Sequence, residues 1–202
     1  MTSDRDLVRE LLDRHGTTYA EDAGITLRDE PSPLYQLLVL TTLASTRISA
    51  DIAVAAAREL FEAGWRTPER MRSATWRQRV SALGRARYKR YDESTATKLE
   101  EGAAMLMDDL HGDLRRLRPE GPDGVERLLE AITGFPRIGA VGASIFVREV
   151  QEVWPVGPYF DRRSLRAAER LGLPTEPRRL AELATSAPHG TVARLAASLV
   201  KA

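Results

Sequence analysis

Along almost the whole chain apolar residues return at intervals of three and four, and β-branched alternation is nearly absent. That pattern predicts an all-α fold. Leu7, Val8, Leu11 and Leu12 form one amphipathic stripe over 5–15, and a Gly/Asp/Pro-containing linker follows as far as Pro33. Leu34 to Leu43 has no polar face and predicts a central buried helix. Further helices are expected over 52–61, from Thr67-Pro68, over 75–83, over 95–110 with Leu99, Ala103, Leu106 and Leu110 on one face, and over 125–132. A Pro/Gly loop is expected at 117–124, and Ala140–Val150, Asp161–Leu171 and one or two helices in 178–202 complete the chain.

Composition narrows what such a fold can do. The sequence contains no cysteine, which excludes disulfides, thiolate nucleophiles, Cys-ligated zinc and iron–sulfur clusters. His15, His111 and His189 lie far apart, so no dedicated metal site is expected. The longest apolar run, Leu37–Leu43, is too short and Thr-rich to span a membrane. The polar start, Met1 to Arg5, lacks a signal-peptide core, so a cytoplasmic, nucleoid-associated location is expected. The net charge is only +1, so any nucleic-acid surface must gather its basic residues in one place. Arg66, Arg70, Arg72, Arg77, Arg79, Arg85, Arg87, Lys89 and Arg90 do so, with Tyr88 and Tyr91 among them; the same stretch is equally a solvated arginine-rich face.

The most informative stretch is Val125–Val150. Two helical patterns flank Gly134-Phe135-Pro136-Arg137-Ile138-Gly139, a linker with room only for a tight turn. Phe135 and Ile138 are expected to point inward. Gly139 opens the second helix, whose free N–H groups and positive end suit a phosphate. Ala140, Gly142, Ala143 and Ser144 are small enough for DNA to come near, in a contact with backbone rather than bases.

Phe135 to Ala143 resembles the helix-hairpin-helix signature of the HhH-GPD DNA glycosylases, the superfamily that includes endonuclease III and the alkyladenine glycosylases. The similarity extends to Val156-Gly157-Pro158-Tyr159-Phe160-Asp161, an extended segment ending in an aspartate at a helix start, and more weakly to Pro33–Ser49. Arg137 stands where the signature has its first glycine. The resemblance implies a two-lobed fold, with a helical bundle over 30–140 and a second lobe built from 1–29 and 141–202. It implies backbone contacts to duplex DNA from Phe135, Arg137, Ile138, Gly139, Val141 and Gly142, and Asp161 as the catalytic carboxylate. Position alone favours the simpler role of an N-cap for Asp161.

Bifunctional members of the superfamily carry a lysine at the position of Val141. Lys89, Lys98 and Lys201 are the only lysines here, so a monofunctional glycosylase without lyase activity is expected. The filler for the gap left by an extruded base would come from Ser45, Thr46, Arg85, Arg87 or Tyr88, with Arg162 and Arg163 as further DNA contacts. Tyr35, Tyr159 and Phe160 are candidates for the base pocket, which an alkylated base would suit through cation–π contact. No cofactor is expected beyond a monovalent cation at the hairpin, and the chain is expected to act as a monomer on duplex DNA bearing a damaged base. A uracil or mismatch glycosylase and a non-catalytic helix-hairpin-helix DNA-binding protein are the alternatives.

Overall fold

The computed structural model describes residues 3–121 and 123–202; Met1, Thr2 and Pro122, on which part of the N-terminal and 117–124 readings fall, lie outside it. The described residues form twelve α-helices and one 3-10 turn, with no strand. In chain order the helices are α1 (Asp4–His15), α2 (Tyr19–Asp22), α3 (Pro31–Ala44), α4 (Ala50–Glu62), α5 (Pro68–Ser73), α6 (Trp76–Arg85), α7 (Asp92–Leu110), α8 (Gly124–Thr133), α9 (Ala140–Val150), α10 (Arg162–Arg170), α11 (Pro177–Ser186) and α12 (Val192–Lys201). None of them is long and apolar enough to cross a membrane.

Local chemistry sets the helix starts. Ser49, Thr67, Thr75 and Thr191 each accept a backbone N–H from the first turn of the helix they precede. Thr18 and Glu21 close a full capping box around α2, a helix inside the expected linker, whose four residues are too few to show a periodicity. α3 is buried from Leu34 through Leu43, as its missing polar face predicts, and Thr42 returns its hydroxyl to Leu38 O at 2.9 Å.

The apolar residues form two clusters. The larger joins α3, α4 and α7 to α8 and α9; the smaller joins α1, α10, α11 and α12. Their division differs from the expected boundary at residue 140. Ala143, Phe146, Val147 and Val150 of α9 pack into the larger cluster, as do Ala20, Ala23 and Ile25. A helix hairpin buries both of its arms against one core, so α9 follows α8. α12 packs against both α9 and α1, and so seams the two clusters together.

Candidate active site

The hairpin is built as its sequence suggests, with one exception. Phe135 and Ile138 are both 4% exposed, and Ile138 N donates to Phe135 O at 3.1 Å to close the turn. Arg137 occupies the left-handed region with φ 70°, a conformation that favours glycine. Its side chain turns back onto α7: Nη1 donates to Ser94 Oγ at 3.1 Å, and the guanidinium lies 5.4 Å from the centre of the Tyr91 ring. Gly139 is exposed in an extended conformation at the N-cap of α9, and Val141 is 60% exposed.

Gly142 does not face open space, as its small size suggested, but the loop between α3 and α4. A Cβ built on it would lie 2.0 Å from Ser45 Oγ and 3.0 Å from Ile138 Cγ2. Ser45 in turn donates to Thr41 O at 2.8 Å. Gly142→Ala should therefore destabilise the protein by about 1–3 kcal/mol through overpacking. Chemical denaturation will show this, and Ser45→Gly in the same chain should restore part of the loss.

Tyr88 is a correction to the expected set of gap fillers. It is fully buried, and its hydroxyl lies 2.8 Å from Thr46 Oγ1 and donates to Leu43 O at 3.1 Å. The reason is local. Arg87, at φ 61°, ends α6 in a Schellman turn, with Tyr88 N donating to Leu83 O and Arg87 N to Gly84 O. The residue after such a turn tucks its side chain inward. Tyr88 is thus a strut beneath the α3–α4 loop that presents Ser45 and Thr46. Tyr88→Phe should cost about 1 kcal/mol and speed amide exchange across residues 46–49.

Other expected contacts divide in the same way. Arg87, Arg162 and Arg163 are exposed, and Arg85 is exposed but paired with Glu59 at 2.6 Å. Arg79, in the basic stretch, is 1% exposed and clamps α5 to α7, donating to Met71 O, Ala74 O and Ala96 O and pairing with Glu100. Two expected pocket aromatics lie in cores instead. Tyr35, 1% exposed, sits in the buried stretch of α3, and Phe160, 6% exposed, belongs to the smaller cluster. Tyr159 stays half-buried at the site, where its hydroxyl meets Ser144 Oγ at 3.2 Å. Gln151 pins its backbone from both sides, donating to Tyr159 O and accepting from Tyr159 N, each at 3.0 Å.

Asp161 caps α10. Its Oδ1 accepts from Arg163 N and Ser164 N, both at 2.9 Å, and from Ser164 Oγ at 3.0 Å. Its Oδ2 accepts from Arg148 Nη1 at 2.7 Å. Oδ2 thus carries one protein hydrogen bond where Oδ1 carries three. The capping role and a chemical role are therefore compatible.

Sequence reasoning missed the groups around this aspartate. Arg148, 1% exposed on α9, bridges Asp161 and Glu149, the latter at 3.5 Å, and lies 5.2 Å from the centre of the Tyr19 ring. Lys201 Nζ lies 5.1 Å from the same ring centre, but it is committed to Thr17 and Asp22. Glu149, also buried, accepts from Ala20 N at 3.0 Å. A cavity of about 180 Å³ opens at this seam, walled by Tyr19, Ile48, Val54, Ile145, Arg148 and Arg163 among others.

Burial raises the Glu149 carboxyl above the ordinary carboxylate range, against the opposing pull of Arg148. The native state then holds a proton that the unfolded state releases at about pH 4.3. The stability Glu149 contributes is present in acid and is lost as pH rises from there through its raised value. Glu149→Gln should remove that downward slope, which urea unfolding measured across the acid range will detect.

The fold is an all-α, endonuclease III-like helix-hairpin-helix arrangement, with an aspartate at the seam between its two apolar clusters. Two of the solved structures it resembles are endonuclease III complexes with DNA. A trapped endonuclease III–DNA covalent intermediate, an estranged-adenine complex, is 16% identical, with a TM-score of 0.51, 98% of this chain covered and 85% of that one. A non-covalent endonuclease III–DNA complex is 17% identical, with a TM-score of 0.55, and 97% and 82% covered. No family model and no curated protein matches the sequence.

Proposed function

We propose that the protein is a monofunctional DNA glycosylase that hydrolyses the N-glycosidic bond of a damaged base in duplex DNA. The observation that carries the reading is Asp161, a carboxylate held at a helix N-terminus and paired with Arg148, which lines a cavity of about 180 Å³. Cleavage of the bond sends its electron pair to the base and leaves positive charge on the sugar. A fixed carboxylate stabilises that charge. Water adds its oxygen to C1′, one of its protons passes by way of Oδ2 to solvent, and the departing base takes up a proton.

The hairpin supplies the duplex contact through the exposed N-terminus of α9, and Arg162 and Arg163 extend it at α10. The lysine chemistry of a lyase has no support here. Val141 has no amine, and Lys201, which follows the cavity-lining Val200, has its donors directed to Thr17 Oγ1, Thr17 O and Asp22. A monovalent cation at the hairpin would draw on backbone carbonyls such as that of Phe135, which already accepts from Ile138 N.

Duplexes carrying single lesions test the proposal: 3-methyladenine, 7-methylguanine, ethenoadenine, hypoxanthine, uracil and 8-oxoguanine, each developed with and without hot alkali. Strand breaks that form only after alkali are the expected result. Breaks without alkali would argue for a lyase. No break on any lesion, with duplex binding intact, would leave a non-catalytic DNA-binding protein.

A further inference from the structure

We propose that Arg90 is a further phosphate contact for duplex DNA, and that Tyr91, braced by Arg137 of the hairpin turn, holds it beside the hairpin. The inference rests on the duplex-binding part of the proposed function. It extends the grip on DNA to the loop between α6 and α7.

Arg137 is the strained residue of the hairpin. It takes φ 70° where glycine is favoured, and its Nε–H is buried without a partner. Both features cost stability, and backbone strain of this kind points to function. The side chain instead ties the turn to the end of the α6–α7 loop. Nη1 donates to Ser94 Oγ at 3.1 Å, and the guanidinium lies 5.4 Å from the centre of the Tyr91 ring.

The same ring carries a second cation, the Arg90 guanidinium, 5.3 Å from its centre. Tyr91 thus gathers two positive groups, one from the hairpin and one from the loop. Like charges sharing one ring repel each other, and a phosphate beside them relieves that repulsion. Arg87, Lys89 and Arg90 are all exposed, and among the described residues none of them pairs with a carboxylate, whereas Arg85 is spent on Glu59. Of the three, Arg90 is the one set against a ring that packs on the larger apolar cluster. A side chain held in advance costs less entropy to order on binding. Gly139, at the exposed start of α9, comes two residues after Arg137, so the held guanidinium and the helix end stand close enough to share one duplex.

Affinity for a short lesion-free duplex, measured by fluorescence anisotropy over a range of salt, tests this. The proteins compared are wild type, Arg90→Gln, Tyr91→Leu, Tyr91→Phe and the double variant Arg90→Gln/Tyr91→Leu. Arg90→Gln, at an exposed position, should weaken binding about fivefold or more and lower the salt slope by about 0.9, as loss of one phosphate contact requires. Tyr91→Leu changes no charge, yet should weaken binding about two- to fivefold, the worth of an exposed cation–π contact. Tyr91→Phe keeps the ring and should bind as wild type does. In the double variant the leucine should add nothing to the loss from Arg90→Gln.

An unchanged salt slope in Arg90→Gln would overturn the proposal. So would wild-type affinity in Tyr91→Leu, or a leucine penalty that persists in full without Arg90, which would mark the ring as a support of the hairpin alone. Excision of a damaged base alongside any of these results would leave the glycosylase reading intact. The expected pattern without excision of any lesion would remove that reading and leave the inference standing. No duplex binding by the wild-type protein would remove both.

Discussion

Replacing Arg148 with methionine should destabilise the protein by about 3–5 kcal/mol. The side chain is 1% exposed and holds two carboxylates that are themselves buried, Asp161 at 2.7 Å and Glu149 at 3.5 Å. Methionine fills much of the same volume, so packing is not what is lost. What remains are two acids in an apolar seam with their shared counter-charge removed. Glu149 answers by protonating, since burial already pushes it that way. Asp161 keeps its capping N–H donors but loses the partner of Oδ2. The loss should therefore be greatest near neutrality and shrink as pH falls and Glu149 is protonated. Urea unfolding at neutral and mildly acidic pH will show both the size and the sign.

Replacing Asp161 with asparagine should lower the rate of base excision by about 100- to 1000-fold, the range seen when one preorganised electrostatic group is removed from an active site. Asparagine keeps an oxygen that can accept from Arg163 N and Ser164 N, so the start of α10 should persist. Its amide then meets Arg148 Nη1 donor to donor, which costs some stability without unmaking the fold. The sugar cation loses its negative partner. Duplex affinity, proposed to rest on the hairpin, Arg162 and Arg163, should stay within a few-fold of wild type.

The helices and the hairpin were legible in the sequence because both rest on local rules. Phe135 and Ile138 turn inward and Gly139 opens α9 as spacing predicts. Asp161 was legible twice over, as a cap and as a carboxylate after an extended segment. The surroundings of Asp161 were not legible, because they assemble at long range: Ala20 N meets Glu149 across 129 positions. One signal was available. Arg148-Glu149 interrupts the apolar run from Ile145 to Val150, and charges on a buried helix need partners. Tyr88 misled for another reason: Arg87 stands where a glycine would have announced the Schellman turn. Tyr35 and Phe160 followed the ordinary fate of aromatics, which is the core.

The most direct test of the account is single-turnover excision of a base from a lesion-bearing duplex by the wild-type protein and by Asp161→Asn, with duplex affinity measured on the same preparations. The account predicts alkali-dependent strand breaks with wild type, a loss of at least 100-fold in the variant, and similar affinity for both. Excision by Asp161→Asn at the wild-type rate would contradict it.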